Sequence, residues 1–333
     1  MLAFDVVRVF DLTATQALGP QAVVFALAAI GLNIHVGYTG LLNFGHIGFL
    51  AAGAYGMGIA ITSWDSNHWL AIVVGLAFSV VLALILGIPT LRLRSDYLAI
   101  VTIAAAEIIR LLARSTSLRG VTRGAEGLSG WSGGFQDANP FKATVYELGP
   151  LTYTGLQLFV VVFGWLLVVL VALLVWQVMR SPWGRVLRAI REDEDAARAL
   201  GKNAYWYKLQ ALMLGGAIGG MAGMVQAISN GTIQPDTFTP PVTFFIWTVL
   251  ILGGAARVFS PIVGAMLFWA LVTVTEAVLL ELVSDGNIPR SVMDPSQVGQ
   301  IRFWLVGLGL MALMTFRPQG LFGNRREMAL DAR

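Results

Sequence analysis

Apolar residues run through this chain in stretches too long for the helices of a water-soluble core. A helix needs about 20 apolar residues to cross a bilayer. Nine stretches come near that length: 19–36, 40–62, 69–91, 97–113, 154–178, 209–229, 241–256, 259–283 and 300–316. Only helices and closed barrels satisfy their backbone amides in lipid. Barrel strands would be about ten residues long with alternating polarity, and these stretches are not. The pattern predicts an all-α integral membrane protein: one polytopic bundle of about 8–10 transmembrane helices over residues 1–333.

The polar intervals between the runs set the orientation. Residues 1–18 include Asp5, Arg8 and Asp11 and lack the clean apolar core of a cleavable leader, so they read as an amphipathic helix lying on the membrane. The segment 180–208 carries Arg180, Arg185, Arg188, Arg191, Arg198, Lys202 and Lys208; the tail 317–333 carries Arg317, Arg325, Arg326 and Arg333. Basic loops stay on the cytoplasmic side, and an even number of spans separates the two. Arg257, Arg92 and Arg94 then also fall inside, and the N-terminus outside. Arg114, Arg119 and Arg123 fall outside, against the rule. Either the fourth span is drawn wrongly, or the glycine-rich stretch that follows folds back into the protein.

Composition agrees. Of 333 residues, 56% are apolar and 12% charged, half the charge of a soluble domain, and the mean hydropathy is +0.73. There are no cysteines, which removes disulfides, thiolate metal sites and cysteine nucleophiles. Net charge is only +3, and the basic residues lack interleaved stacking aromatics, which argues against nucleic-acid binding. His35, His46 and His68 lack metal-ligand spacing, so no metal site is expected. Glycine is abundant, and two glycine-rich polar segments, 37–58 and 215–223, are either a weak internal repeat or ordinary close helix packing.

Three segments carry candidate chemistry. The second run reads GYTGLLNFGHIGFLAAGAY over 37–55, with Tyr38 and Thr39 ahead of Asn43 and His46, and the latter pair at helical spacing. Its glycines predict a break near Gly37–Gly40. Polar groups in a span face protein or water, so these four residues either line a solute path or bond neighbouring helices. Glu107 and Arg110, three apart in the fourth run, predict an intrahelical ion pair near its outer end: a structural pair, or a gate or solute contact. In 180–208, Pro182 suits the first turn of one short helix, the acids Asp193, Glu194 and Asp195 open a second, and Gly201 closes it. This charged knuckle is either a solvated amphipathic loop or a docking site for a partner.

The heptapeptide Asp195-Ala196-Ala197-Arg198-Ala199-Leu200-Gly201 resembles the (Glu/Asp)-Ala-Ala-x-x-x-Gly signature of ABC-importer permeases. The second run, LAIVTIAAAEIIR (98–110), GAEGLSG (124–130), LILGGAARVFSPIVGA (250–265) and RPQGLFG (317–323) are similar to blocks of branched-chain amino acid permeases of the LivM type. Urea-type permeases share several of these blocks and are the alternative. The resemblance implies that 180–208 is a cytoplasmic coupling loop, with Arg188, Arg191, Glu194, Asp195, Ala196, Ala197, Arg198 and Gly201 transmitting force from an ATPase. It further implies a second permease subunit forming a heterodimer, two cytoplasmic ATPase subunits that bind the ATP, an extracytoplasmic solute-binding protein, and the plasma (inner) membrane of a prokaryote. It does not supply solute contacts; Tyr38, Thr39, Asn43, His46, Glu107 and Arg110 are chosen for a translocation path by polarity alone.

The chain has no phosphate-cradling loop of its own. Gly201-Lys202 is followed by Asn203, and Ala196 stands where the first glycine is needed. It therefore reads as a transporter subunit, not an enzyme, without a bound cofactor. An ion-coupled secondary transporter would lean on Glu107 and His46 and would leave 180–208 unexplained. A membrane enzyme would need clustered acid–base groups, and a passive scaffold would need none of these features.

Overall fold

In the computed structural model of the protein, residues 6–92, 95–141, 144–284, 295–317 and 319–323 are described. Asp5, Arg94, Arg325, Arg326 and Arg333, invoked above for orientation, lie outside them. In chain order the helices begin with α1 (Val6–Ala17) and α2 (Pro20–Asn33), which runs on through a π-helical turn, Ile34–Tyr38. α3 (His46–Trp64), α4 (His68–Thr90) and α5 (Ser95–Arg114) follow. Two single turns, α6 (Arg119–Thr122) and α7 (Gly133–Asp137), flank strand β1 (Leu128–Ser129). A hairpin of β2 (Val145–Leu148) and β3 (Leu151–Thr154) leads to α8 (Gly155–Arg180), α9 (Pro182–Glu192), α10 (Glu194–Ala199) and α11 (Ala204–Asn230). After β4 (Thr232–Ile233) come α12 (Pro240–Gly253), α13 (Ser260–Ser284) and α14 (Pro295–Phe316).

All nine expected spans are helices. Eight are long and apolar enough to cross a membrane by composition; the ninth, α5, carries Glu107, Arg110 and Arg114. The capping chemistry explains the starts. Proline opens α2, α9 and α12, where its missing N–H costs nothing. Asn67 accepts the Leu70 N–H ahead of α4, and Thr154 with Gln157 forms a reciprocal capping box at α8.

At the centre α2, α3 and α11 pack together. Residues Ala22–Asn33 of α2 are buried on every face, because α8, α11, α12 and α13 surround the helix. The two glycine-rich segments are the two sides of one helix crossing. A Cβ at Gly223 would strike the Leu50 backbone, and one at Gly53 would strike Gly220. Close packing of small residues replaces the hydrophobic effect as the force between helices in lipid.

The face bearing α9 and α10 is the inner face below, the opposite one the outer. Tail residues 319–323 dock on the inner end of α12: Leu321 and Phe322 donate backbone N–H groups to the Leu252 and Gly253 carbonyls, at 3.0 and 3.1 Å. These carbonyls lack helical partners, so the tail satisfies them. On the outer face α1 lies against α13 and the β2–β3 hairpin. Tyr153 donates its hydroxyl to the Thr15 carbonyl (2.7 Å). Burial pushes that phenol up to about 12, so it remains a donor at neutral pH.

The fourth run forms one helix, α5, although it is not among the eight apolar enough to cross a membrane by composition, and the stretch after it folds back onto the bundle. β1 pairs antiparallel with β4; Leu128 and Trp131 are buried. Gly127 permits the approach: its φ is +73°, and a Cβ there would collide with the Ile233 carbonyl.

Candidate functional site

The break between α2 and α3 is a buried polar junction. The second run is not one helix from residue 40. Tyr38 ends the π-turn, residues 40–45 are irregular, and α3 starts at His46. Asn43 therefore precedes the helix, and the expected shared helix face of Asn43 and His46 does not form. Instead Asn43 donates to His35 Nδ1 (3.0 Å) and accepts from the Gly45 N–H (2.9 Å). With Nδ1 accepting, His35 carries its proton on Nε2 and donates to the Leu212 carbonyl of α11 (3.2 Å).

The irregular backbone is held by side chains from five directions. Thr102 of α5 accepts from the Phe44 N–H (3.1 Å), and Thr243 of α12 accepts from the Ile47 N–H (3.2 Å). Trp247 donates to the Asn43 carbonyl (3.1 Å) and stacks on Phe44. Asn33 clasps the α12–α13 loop, donating to the Arg257 carbonyl and accepting from the Ala256 N–H, both at 2.9 Å. Thr39 donates to the Ile34 carbonyl (2.7 Å). Unsatisfied backbone in lipid costs several kcal/mol per group, so this network is what permits a broken helix there. Tyr38, Thr39, Asn43 and His46 are all buried. In this conformation they knit helices together. His46 packs between Gly31 and Gly219, roughly 22 Å up α11 at 1.5 Å per residue, and neither of its ring nitrogens has a hydrogen-bond partner.

The inner knuckle takes the expected form. α9 and α10 meet at Asp193, whose carboxylate accepts the Ala196 N–H (2.9 Å). Gly201 leaves α10 with φ +76°. Ile190, Ala197 and Ala204 form a small apolar centre that fixes the angle. Glu194 binds Arg198 (2.7 Å) and Lys208. Arg188 donates to the Met179 carbonyl at the end of α8 (2.6 Å). Asp195 and Leu200 project outward, 93% and 80% exposed.

Knuckle and junction touch. Arg191 lies across Gly40 and donates to the Gly37 carbonyl, in the π-turn (2.5 Å). Sequence reasoning chose Arg191, Tyr38, Thr39, Asn43 and His46 separately. The structure puts Gly37, at the expected break, into this contact and adds Asn33, His35, Thr102, Thr243 and Trp247, which the sequence reading missed. Asn33 and His35 were visible as polar residues in an apolar run; the other three carry no local signal.

Glu107 and Arg110 form the expected pair near the outer end of α5. Arg110 grips the carboxylate bidentately (2.5 and 2.9 Å) and also reaches Asp236 (3.1 Å). They share α5 with Thr102 but none of the junction's hydrogen bonds. A second ion pair, Arg302 of α14 with Glu276 of α13, also went unforeseen. Among the described residues no three His, Asp or Glu side chains gather into a metal site.

Residues 17–291 match the family described as branched-chain amino acid transport system / permease component. The high-affinity branched-chain amino acid transport system permease protein LivM of Escherichia coli K12 is 31% identical over 322 residues, 94% of this chain and 71% of the relative. The Salmonella typhimurium LivM protein is 31% identical over 93% of this chain and 70% of its own length. A probable LivM permease of Methanocaldococcus jannaschii is 26% identical over 90% of this chain and 91% of its own length.

Proposed function

This chain belongs to the family of branched-chain amino acid transport permease components, and from that premise we propose how it works. It is the membrane-spanning subunit of an ATP-driven importer for branched-chain amino acids in a prokaryotic inner membrane. ATP is bound by two separate cytoplasmic subunits, a second permease chain completes the membrane part, and an extracytoplasmic binding protein delivers the solute. The inner face, with α9, α10 and the C-terminus, is cytoplasmic.

The observation that carries the mechanism is the contact of Arg191 with the Gly37 carbonyl. The exposed edge of the knuckle, Asp195, Arg198 and Leu200, is the surface an ATPase subunit presses. Ala196 and Ala197 keep α10 slim enough to seat in a cleft, and Gly201 lets the chain turn into α11. A push moves α9, and the Arg191 guanidinium draws the π-turn of α2 with it. The same push shifts α11, whose Leu212 carbonyl holds His35. Both routes end on one irregular junction. A π-turn carries an extra residue per turn and can relax into α-helix, so it is a two-state element. The path then opens by re-aiming α3, with Tyr38, Thr39, Asn43 and His46 exposed on its wall, and Glu107 and Arg110 mark its outer end.

The test uses the complete complex in proteoliposomes. Asp195→Ala combined with Arg198→Ala is expected to abolish most ATP-driven leucine uptake while the permease still inserts. Wild-type uptake together with normal assembly in that double variant would overturn the coupling assignment. Uptake that survives ATP depletion and collapses with an ionophore would overturn the importer reading.

A further inference from the structure

A cavity of about 350 Å³ lies between α2, α3, α11, α12 and α13. Its walls are mostly apolar: the buried aliphatic residues Val24, Ile47, Leu50 and Ile246 share them with the aromatic rings of Phe25, Phe238 and Phe245. Ala28 leaves room at the deep end, and the cavity is bordered there by Ile47, the residue after His46. α12, which forms one wall, opens with Pro240 and Pro241. Neither has an N–H, so the helix brings few orphan donors to an apolar space.

Polar groups collect at the other end. Gln21 is the second residue of α2, Gln226 stands one turn before the outer end of α11, and Thr237 belongs to the short turn before α12. Gln226 has one N–H on Asn230 (3.2 Å) and a carbonyl oxygen left to accept. The ring of Trp269 borders the cavity, and its Nε1–H is buried without an acceptor. No charged side chain lines the space. Beside its outer end, Asp236 adjoins Thr237 and holds Arg110 and Arg114 at 3.1 and 3.3 Å.

An apolar chamber with neutral polar groups at one end matches an amphiphilic solute entering tail first. We propose that this cavity receives the branched aliphatic side chain of the transported amino acid, with Gln21, Gln226 and Thr237 meeting its amino and carboxyl end. The proposal rests on the importer reading above and gives this wall a second selection, after that of the binding protein. Ligand pockets of this kind are mostly apolar with a few placed polar groups.

The experiment is competitive uptake of leucine, valine and phenylalanine by the complete importer in proteoliposomes. Selectivity ratios do not depend on how much protein is active. A cavity wall discriminates by about tenfold or more per methylene-sized change. Ile246→Ala, which enlarges the chamber, is expected to raise the phenylalanine-to-valine ratio by about tenfold. Val242→Phe, at a half-buried position on the cavity wall, narrows the chamber and is expected to lower the leucine-to-valine ratio, and it decides the matter if Ile246→Ala does not assemble. Wild-type uptake with ratios unmoved in the assembled variants overturns the cavity assignment alone. Wild-type vesicles that import no branched-chain amino acid overturn the importer reading and this assignment with it.

Discussion

Arginines do different work on the two faces of this protein. On the inner face three of them grip backbone, while Arg198 pairs with Glu194. Arg188 holds the Met179 carbonyl, Arg191 the Gly37 carbonyl and Arg185 the Arg180 carbonyl. On the outer face they meet carboxylates: Arg110 with Glu107 and Asp236, Arg114 with Asp236, and Arg119 with Glu126. The inner set ties one element to the next and keeps its positive charge. The outer set is locally neutralised. The difference accounts for the basic residues that seemed misplaced after the fourth span. Arg114 and Arg119 are counted as cations in the sequence, but in the fold each sits within an ion pair; Arg123 turns the chain at φ +58° without a pairing that explains its charge.

The comparison can be broken most sharply at Arg191. A hydrogen bond to a charged group contributes about 1.5–3 kcal/mol. Arg191→Ala is therefore expected to cut ATP-driven uptake by about ten- to hundredfold, while size-exclusion chromatography still shows an intact complex. Arg191→Lys, which keeps the charge and loses the planar fork, should fall between. Uptake at the wild-type rate in the alanine variant would mean that the inner arginines are no more mechanical than the outer ones. Asp236→Asn comes next. It frees Arg114 but leaves Arg110 its bidentate Glu107, so thermal stability in detergent should drop by about 1 kcal/mol, and by less at high salt. A loss untouched by salt would show a pair shielded from solvent. Smallest of all is Arg119→Ala. Both partners of Arg119–Glu126 are largely exposed, and the melting temperature should not move measurably. A clear drop there would mean that the outer loop depends on its charges as the inner knuckle does.

Much of the fold was legible because membrane spans are a local property. Each long apolar run became a helix, with ends displaced by a few residues, and the charged knuckle formed at Pro182–Ala199 with its acid cap and closing glycine. The second span misled for a physical reason. Periodicity placed Asn43 and His46 on one helix face, yet Gly40 and Gly45 weaken helix there, and bonds from Thr102, Thr243 and Trp247 stabilise an irregular backbone instead. Those three residues are ordinary members of other runs. Nothing near them in the chain announces that they serve the break.

The amino-acid order by itself determined that the chain is a polytopic helical membrane protein, which polar knuckle stands apart and that its sequence lacks a phosphate-cradling motif, since each follows from residues within one short window. Only the tertiary structure decided that two glycine-rich segments are partners, that Arg191 reaches Gly37, and that an apolar chamber lies between five helices. Such contacts join residues up to some two hundred positions apart; they depend on which helices become neighbours, and in lipid that choice is made by close packing and shared hydrogen bonds rather than by hydropathy.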